Sequence, residues 1–493
     1  MKIKVDHILS GILLIVIVVF FTRTFSNIFT YNLDIAGHEQ FLVNYIQILY
    51  NTGELYFNSY IFPYCQNLYT PIYFLMNDAV LQLKNTSNEL DIRSIYIVGR
   101  YISWIACIVN VFVIYFIARQ LKVSTTISLI ACVFYLFNIS NHSFAARPDS
   151  IKDLLFSINV LFLILYVNRH QTIYLASSIL FSVASIYTKQ DSLIYIYGFS
   201  IFLLLIRDFK TFILYNFLVT TFTLVIFFVI NYYTNGKFLD NLFNTNIEFS
   251  WVFWDRWVQQ ILLFIRVTWP SWLIIILAFT YRNNIYKISA LISLVFIVIV
   301  LLVTIKFGAA NNYYTQLYFV FFITSAYSLN LILKKSEFKT IKLISISLVL
   351  LSLYNLKFPA AKDLKTEKIF KKEYLEIKEV SYHLKSNYNG YTFLILDQSF
   401  VPFMPHNMMF INFSLVYFDF LYSKYGFETE QRLIISKSYD NEYIRNHIQN
   451  IDYLMLKDNE RNSILFNKKY KKNYQAVENY KEYNIYINKL LVQ

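Results

Sequence analysis

The chain has 493 residues, of which 57% are hydrophobic, 19% aromatic and only 15% charged, whereas an average soluble domain carries about 25% charged residues. Its mean hydropathy is +0.44, and long apolar runs recur across the first 360 positions. This excludes a soluble globular enzyme, a disordered chain and a nucleic-acid-binding domain for most of the length, and identifies a polytopic membrane protein. The 44 basic against 31 acidic residues leave a charge of +13, which in a membrane chain belongs to cytosolic loops and anionic headgroups. Cys65, Cys107 and Cys132 are the three cysteines, and they form neither a disulfide framework nor a zinc cluster.

In chain order, eleven apolar windows are predicted as spans: 8–28, 95–118, 124–141, 151–168, 171–187, 191–206, 210–232, 260–281, 285–305, 313–333 and 341–358. The first follows the basic segment MKIKVDH and lacks a small-residue cleavage site, so it reads as a retained helix with a cytosolic N-terminus. The loops then assigned to the cytosol are short and basic, with Arg119, Lys122, Arg169, Arg207, Lys210, Arg282, Lys287, Lys334, Lys335, Lys339 and Lys342. Most acids fall on the opposite side, from Asp34, Glu39 and Glu54 to Asp240, Glu248 and Asp255. This asymmetry is the positive-inside pattern and places the C-terminus outside.

Two external loops are long. Residues 29–93 hold a helical pattern from Glu39 to Leu49 and a half-apolar stretch at 71–83 that is too short to span. Residues 233–259 carry Trp251, Trp254 and Trp257 on one helical face, which suits an interfacial helix or a lid over a lipid-facing cleft. The transmembrane domain thus covers 1–358. An external soluble α/β domain is expected over 359–493. It opens with a Lys- and Glu-rich helix at 361–390, followed by strands at Tyr391–Leu396, Tyr453–Lys457, Ser463–Phe466 and Tyr483–Ile487 and a polar helical segment at Asn441–Asn450.

A charge at membrane depth costs at least ~2.5–3.5 kcal/mol, so ionisable residues at span ends are the first functional candidates. Three external clusters stand out: Asp34, His38 and Glu39; His142, Arg147 and Asp149; and Lys189, Gln190 and Asp191. The topology puts all three on one side, where they can converge on one cleft. Each also has a plain reading. Asp149 opens span four, where the helix dipole favours an acid. Arg147 can reach up to headgroups, and Lys189 to Asp191 can form a solvated turn. Together they offer a carboxylate for base work and cations for a lipid phosphate.

The order of several short motifs adds to this. Gly53-Glu54-Leu55-Tyr56 and Tyr69-Thr70-Pro71-Ile72-Tyr73 follow the early acids, and Gly99-Arg100-Tyr101-Ile102-Ser103 lies in span two. Arg147-Pro148-Asp149 precedes span four, Thr188-Lys189-Gln190 precedes span six, and Asn312-Tyr313-Tyr314 enters span ten. Over about 1–335 the chain resembles the GT-C superfamily of membrane glycosyltransferases, in the branch related to protein O-mannosyltransferases and aminoarabinose transferases.

The resemblance implies an all-α polytopic bundle in the plasma membrane. Its partners are a polyprenyl-phosphate sugar donor, the bilayer and an acceptor glycan, lipid or protein. A first-loop carboxylate, Glu39 or Asp34, is the implied general base, and the spacing to Gly53 favours Glu39. Asp149 assists, while Arg147, Lys189 and Arg100 hold the donor phosphate. His38, His142, Gln190, Tyr69, Asn312 and Tyr313 are cleft candidates.

Departures from the family matter. His38 stands beside Glu39 where many relatives have a second acid, and Tyr69-Thr70 replaces the Glu-Lys of aminoarabinose transferases. The Asp-X-Asp metal motif is absent from the first loop. No cofactor is expected, and a monophosphate donor needs no divalent metal; His38, His142 and a carboxylate are the alternative zinc ligands. The competing readings are a polysaccharide polymerase or ligase and a lipid-linked sugar flippase. Scarce Gly and Pro and the lack of an internal repeat argue against the flippase. The early position of the large loop argues against the polymerase.

Overall fold

The structure, a computed structural model, describes residues 5–35, 39–57, 67–84, 91–139, 143–243, 254–279, 289, 291–298, 314–335, 339–354, 364–395, 397–404, 451–457 and 474–489. The first helix is α1 (Val5–Phe25), and the segment after it carries two helices outside the apolar windows, α2 (Glu39–Thr52) and α3 (Ile72–Lys84). The bundle continues through α4 (Ile92–Gln120), α5 (Thr125–Asn138), α6 (Asp149–Arg169), α7 (Thr172–Thr188), α8 (Ser192–Leu205) and α9 (Phe209–Tyr233). A short α10 (Lys237–Phe243) precedes α11 (Trp254–Phe279), α12 (Thr315–Lys335) and α13 (Lys339–Tyr354).

Among the described residues, six helices are long and apolar enough to cross a membrane, and others are shorter. The windows at 124–141 and 191–206 become α5 and α8, each of 14 residues. At 1.5 Å per residue these reach about 21 Å, less than the ~30 Å hydrocarbon core. The 285–305 window lies largely outside the described residues, although 291–298 is helical. Trp251 and the side chains of Trp254 and Trp257 also fall outside them.

Helix α6 packs on α4 and α7, α1 on α5, and α12 on α5 and α11. Large apolar side chains such as Ile15, Val18, Phe217 and Phe228 remain exposed along α1 and α9. A surface of this kind is stable against lipid and not against water. The basic turns gather at one end of the bundle. Ser124 N donates to Asn330 Oδ1 at 3.1 Å, and Lys334 Nζ donates to Lys122 O at 3.4 Å. With so few glycines, non-glycine residues fill left-handed turn positions there: Lys122 (φ 60°), His170 (φ 53°) and Arg207 (φ 65°).

At the opposite end a second core joins the first long loop to the C-terminal region. Helix α14 (Leu364–Asn387) leads into a four-stranded sheet of β1 (Phe393–Ile395), β2 (Tyr453–Lys457), β3 (Tyr474–Tyr480) and β4 (Tyr483–Asn488), in the order β1-β2-β4-β3. Strand β1 pairs parallel with β2, and the other pairings are antiparallel. Val43 and Ile46 of α2, Tyr73 and Phe74 of α3, Val380 of α14 and Phe393 of β1 share this core. Strand β3 was not predicted. Its sequence YQAVENY carries no apolar alternation, because it is largely exposed and interrupted by a bulge between Ala476 and Glu478. The predicted strand Ser463–Phe466 and helical segment Asn441–Asn450 lie outside the described residues.

Candidate active site

Helix α4 brings the first two elements of the site together through one stripe of small and polar residues. A Cβ added at Gly99 would lie 2.7 Å from Ala146 Cβ, so only glycine lets the 143–148 segment rest on the helix. One turn on, Ser103 Oγ donates to Arg147 O at 3.2 Å, and Cys107 Sγ contacts Ser143 O at 3.2 Å. The 99, 103, 107 spacing is the i, i+4 repeat of one helical face.

Glu39 opens α2 and is fully buried. Its Oε1 accepts from Arg100 Nε at 2.9 Å and from Ala146 N at 2.6 Å. Its Oε2 accepts from Arg100 Nη2 at 2.8 Å and from Ile35 N at 2.9 Å. A carboxylate offers about four lone-pair sites, and here all four are engaged. Arg100 is equally enclosed and also donates to Thr30 O at 3.2 Å and Asn32 O at 2.6 Å. Asp34 is half-buried beside this pair. Its Oδ1 accepts from Glu39 N at 3.5 Å, and its own N–H donates to Asn32 Oδ1 at 3.0 Å.

The second and third clusters form a continuous chain of alternating charge. Arg147 Nε meets Asp149 Oδ2 at 3.1 Å, and Lys189 Nζ meets Asp149 Oδ1 at 2.8 Å and Asp191 Oδ2 at 3.6 Å. Lys152 Nζ then meets Asp191 Oδ2 at 3.3 Å and Asp153 Oδ1 at 3.8 Å. Burial opposes the charge on Arg147, but Asp149, with Tyr69 and Asp34 adding to it, holds the guanidinium well above its usual range. The chain contains three cations and three carboxylates, so each desolvated charge has a counter-charge.

The other motifs close on the same region. Gly53, at φ 71°, ends α2 with its N–H on Leu49 O at 2.8 Å, a left-handed stop that suits glycine. Tyr56 OH donates to Tyr69 O at 3.0 Å, and Thr70 Oγ1 donates to Ile186 O at 3.0 Å. Lys189 Nζ lies 5.9 Å from the Tyr69 ring, and Gln190 Nε2 donates to Leu68 O at 2.5 Å. Tyr73 is buried; burial first, and then Glu39, push its phenol well above the usual tyrosine range. Asn241 of α10 holds the loop from above, accepting from Asn67 N at 2.8 Å and donating to Phe57 O at 2.7 Å.

The structure thus brings together Asp34, Glu39, Arg100, Tyr69, Arg147, Asp149, Lys189 and Gln190. His38, His142, Asn312 and Tyr313 lie outside the described residues. Among the described residues, no group of three His, Cys, Asp or Glu side chains is placed to hold a metal ion. Sequence reasoning missed Lys152 and Asp153. The signal was available: Asp149, Lys152 and Asp153 fall at i, i+3 and i+4 at the head of an apolar helix.

No family model matches the sequence, and no curated protein matches it. Solved structures do match. ArnT from Cupriavidus metallidurans in the apo state has a TM-score of 0.56 at 10% identity, covering 95% of this chain and 97% of that one. The same protein bound to undecaprenyl phosphate gives 0.57 at 10% identity, over 96% and 97%. The apo oligosaccharyltransferase of Archaeoglobus fulgidus gives 0.58 at 11% identity, over 93% of this chain and 70% of that one. At such identities the likeness is one of fold. The chain shares with them a polytopic helical fold, and its own described residues add a small C-terminal sheet.

Proposed function

We propose that the protein is a membrane glycosyltransferase that moves a single sugar from a polyprenyl-phosphate donor to an acceptor hydroxyl at the external face of the plasma membrane. The observation that carries this reading is the gathering at one end of the bundle of the buried Glu39–Arg100 pair, with Asp34 beside it, and the chain of buried charges from Arg147 to Asp153, joined through Ala146 N on Glu39. The basic turns occupy the other end, and the positive-inside pattern makes that end cytosolic. The N-terminus then lies inside, and residues 359–493 form an external domain. ArnT has been solved with undecaprenyl phosphate bound, which supports a polyprenyl phosphate as the lipid partner here.

In this reading Asp34 is the general base. Its neighbour Glu39 has every lone pair engaged by Arg100, Ala146 and Ile35, so Glu39 and Arg100 serve to position the loop. Asp34 takes the acceptor proton as the hydroxyl oxygen bonds to the anomeric carbon. The bond from that carbon to the phosphate oxygen breaks, and its electron pair leaves with the polyprenyl phosphate. The phosphate gains charge in this step, and Arg147 and Lys189 stabilise it by sharing contacts now made to Asp149. A monophosphate donor needs no divalent metal for this.

The test is release of polyprenyl phosphate from a polyprenyl-phosphate sugar by purified protein in detergent, with water or an added hydroxyl compound receiving the sugar, with and without EDTA. Turnover is expected in both, and Asp34→Asn is expected to lower it at least ~100-fold with an unchanged Tm. Wild-type turnover in Asp34→Asn would remove Asp34 from the base role.

A further inference from the structure

The C-terminal region reaches the segment that carries Asp34. Glu367, in the first turn of α14, accepts from Thr30 Oγ1 at 2.6 Å and from Tyr31 N at 2.9 Å. The Tyr31 ring is enclosed by three side chains. The Arg93 guanidinium carbon lies 3.8 Å from its centroid, Lys371 Nζ 5.6 Å and the Tyr374 ring 5.6 Å. Tyr374 is braced in turn by Phe403, ring to ring at 5.3 Å.

From the opposite side, Arg100 donates to the carbonyls of Thr30 and Asn32. Residues 30–32 are therefore held between a carboxylate of the C-terminal region and a guanidinium of the bundle. Asn32 passes the constraint on, since its side chain accepts from Asp34 N. Past the 3-10 turn at Ser26–Phe29 the segment has little backbone bonding of its own, with Thr30 N to Asn27 O at 3.4 Å the one such bond made by residues 30–34 among the described residues. A loop without its own ladder takes its geometry from whatever satisfies its polar groups.

We propose that Glu367 is a positioning residue for the transfer reaction, fixing residues 30–32 so that Asp34 is held at the acceptor hydroxyl. This rests on the reading of Asp34 as the base. The bonds of Glu367 described above run to Thr30 and Tyr31, and the ion pairs of the Arg147-to-Asp153 chain are made among its own members. Loss of Glu367 therefore acts on the chemical step and leaves donor binding alone. A misplacement of about 1 Å in a reacting group costs on the order of 100-fold in rate.

The test compares wild type, Glu367→Ala and Glu367→Gln in two measurements. In the turnover assay, Glu367→Ala is expected to lower kcat about 100-fold with an unchanged donor KM. Glu367→Gln keeps one acceptor for Tyr31 N and an amide that can donate to Thr30 Oγ1, so it is expected to recover most of kcat. In hydrogen exchange, a peptide covering residues 29–39 is expected to lose protection in Glu367→Ala. The proposal is overturned if Glu367→Ala keeps wild-type kcat, or if it merely lowers Tm while kcat per folded molecule is unchanged. Should wild type itself release no polyprenyl phosphate, the glycosyltransferase reading fails. The exchange measurement still decides the clamp, because unchanged protection in Glu367→Ala overturns it.

Discussion

Replacing Glu39 by Gln removes one oxygen acceptor and the charge opposite Arg100. Whichever way the new amide turns, two of the four donors now aimed at Glu39 face an NH2 group. With Oε1 lost, these are Arg100 Nε and Ala146 N; with Oε2 lost, Arg100 Nη2 and Ile35 N. Each buried donor left without a partner costs ~1–3 kcal/mol. Removing one member of a buried ion pair costs ~3–5 kcal/mol in total, a figure that already contains those lost bonds. Glu39 and Arg100 are both fully buried, so the full range applies. Glu39→Gln is therefore expected to lose about 3–5 kcal/mol of stability, seen as a lower Tm in detergent and greater protease sensitivity. Adding Arg100→Gln should recover part of the loss, because the second substitution removes the unpaired charge. A Glu39→Gln protein with wild-type Tm and no turnover would refute the reasoning, since that is the behaviour of a general base and not of a positioning residue.

Other outcomes follow from the same geometry. Lys189→Met leaves Asp149 and Asp191 facing each other without the cation that bridges them at 2.8 and 3.6 Å; kcat for polyprenyl phosphate release should fall ~10²–10³-fold. Gly99→Ala places a Cβ 2.7 Å from Ala146 Cβ and 3.3 Å from its Cα, which should cost ~1–3 kcal/mol by displacing the 143–148 segment, read as a lower Tm. Tyr374 is pushed up to about 12, by burial first and by Asp91 second. A phenol whose folded pKa exceeds its unfolded value adds stability below pH 10 that disappears as pH rises toward 12. Tm should therefore drop across that window, and Tyr374→Phe should flatten the drop.

Much of the architecture is legible from residue order alone. Apolar windows locate the membrane helices because lipid demands long internally bonded segments. Charge asymmetry separates the two ends because headgroups and translocation act on short loops. The helix from Glu39 and the strand at Tyr453–Lys457 are legible from local periodicity. Strand β3 is not, because an exposed, bulged strand has no pattern that burial would impose.

The sequence could also nominate the acids and bases near the ends of spans, since a scarce charge in a chain that is 15% charged needs a reason. Spacing to Gly53 favours Glu39 over Asp34, but both lie in the same short segment, and only the fold shows Arg100, Ala146 and Ile35 occupying the lone pairs of Glu39. Nor could the sequence show Lys152 meeting Asp191, or Glu367 meeting Thr30 from 337 positions away. Composition and periodicity report what each segment must bury. Which charge finds which partner is a matter of distance across the bundle, and that is set only when the helices pack.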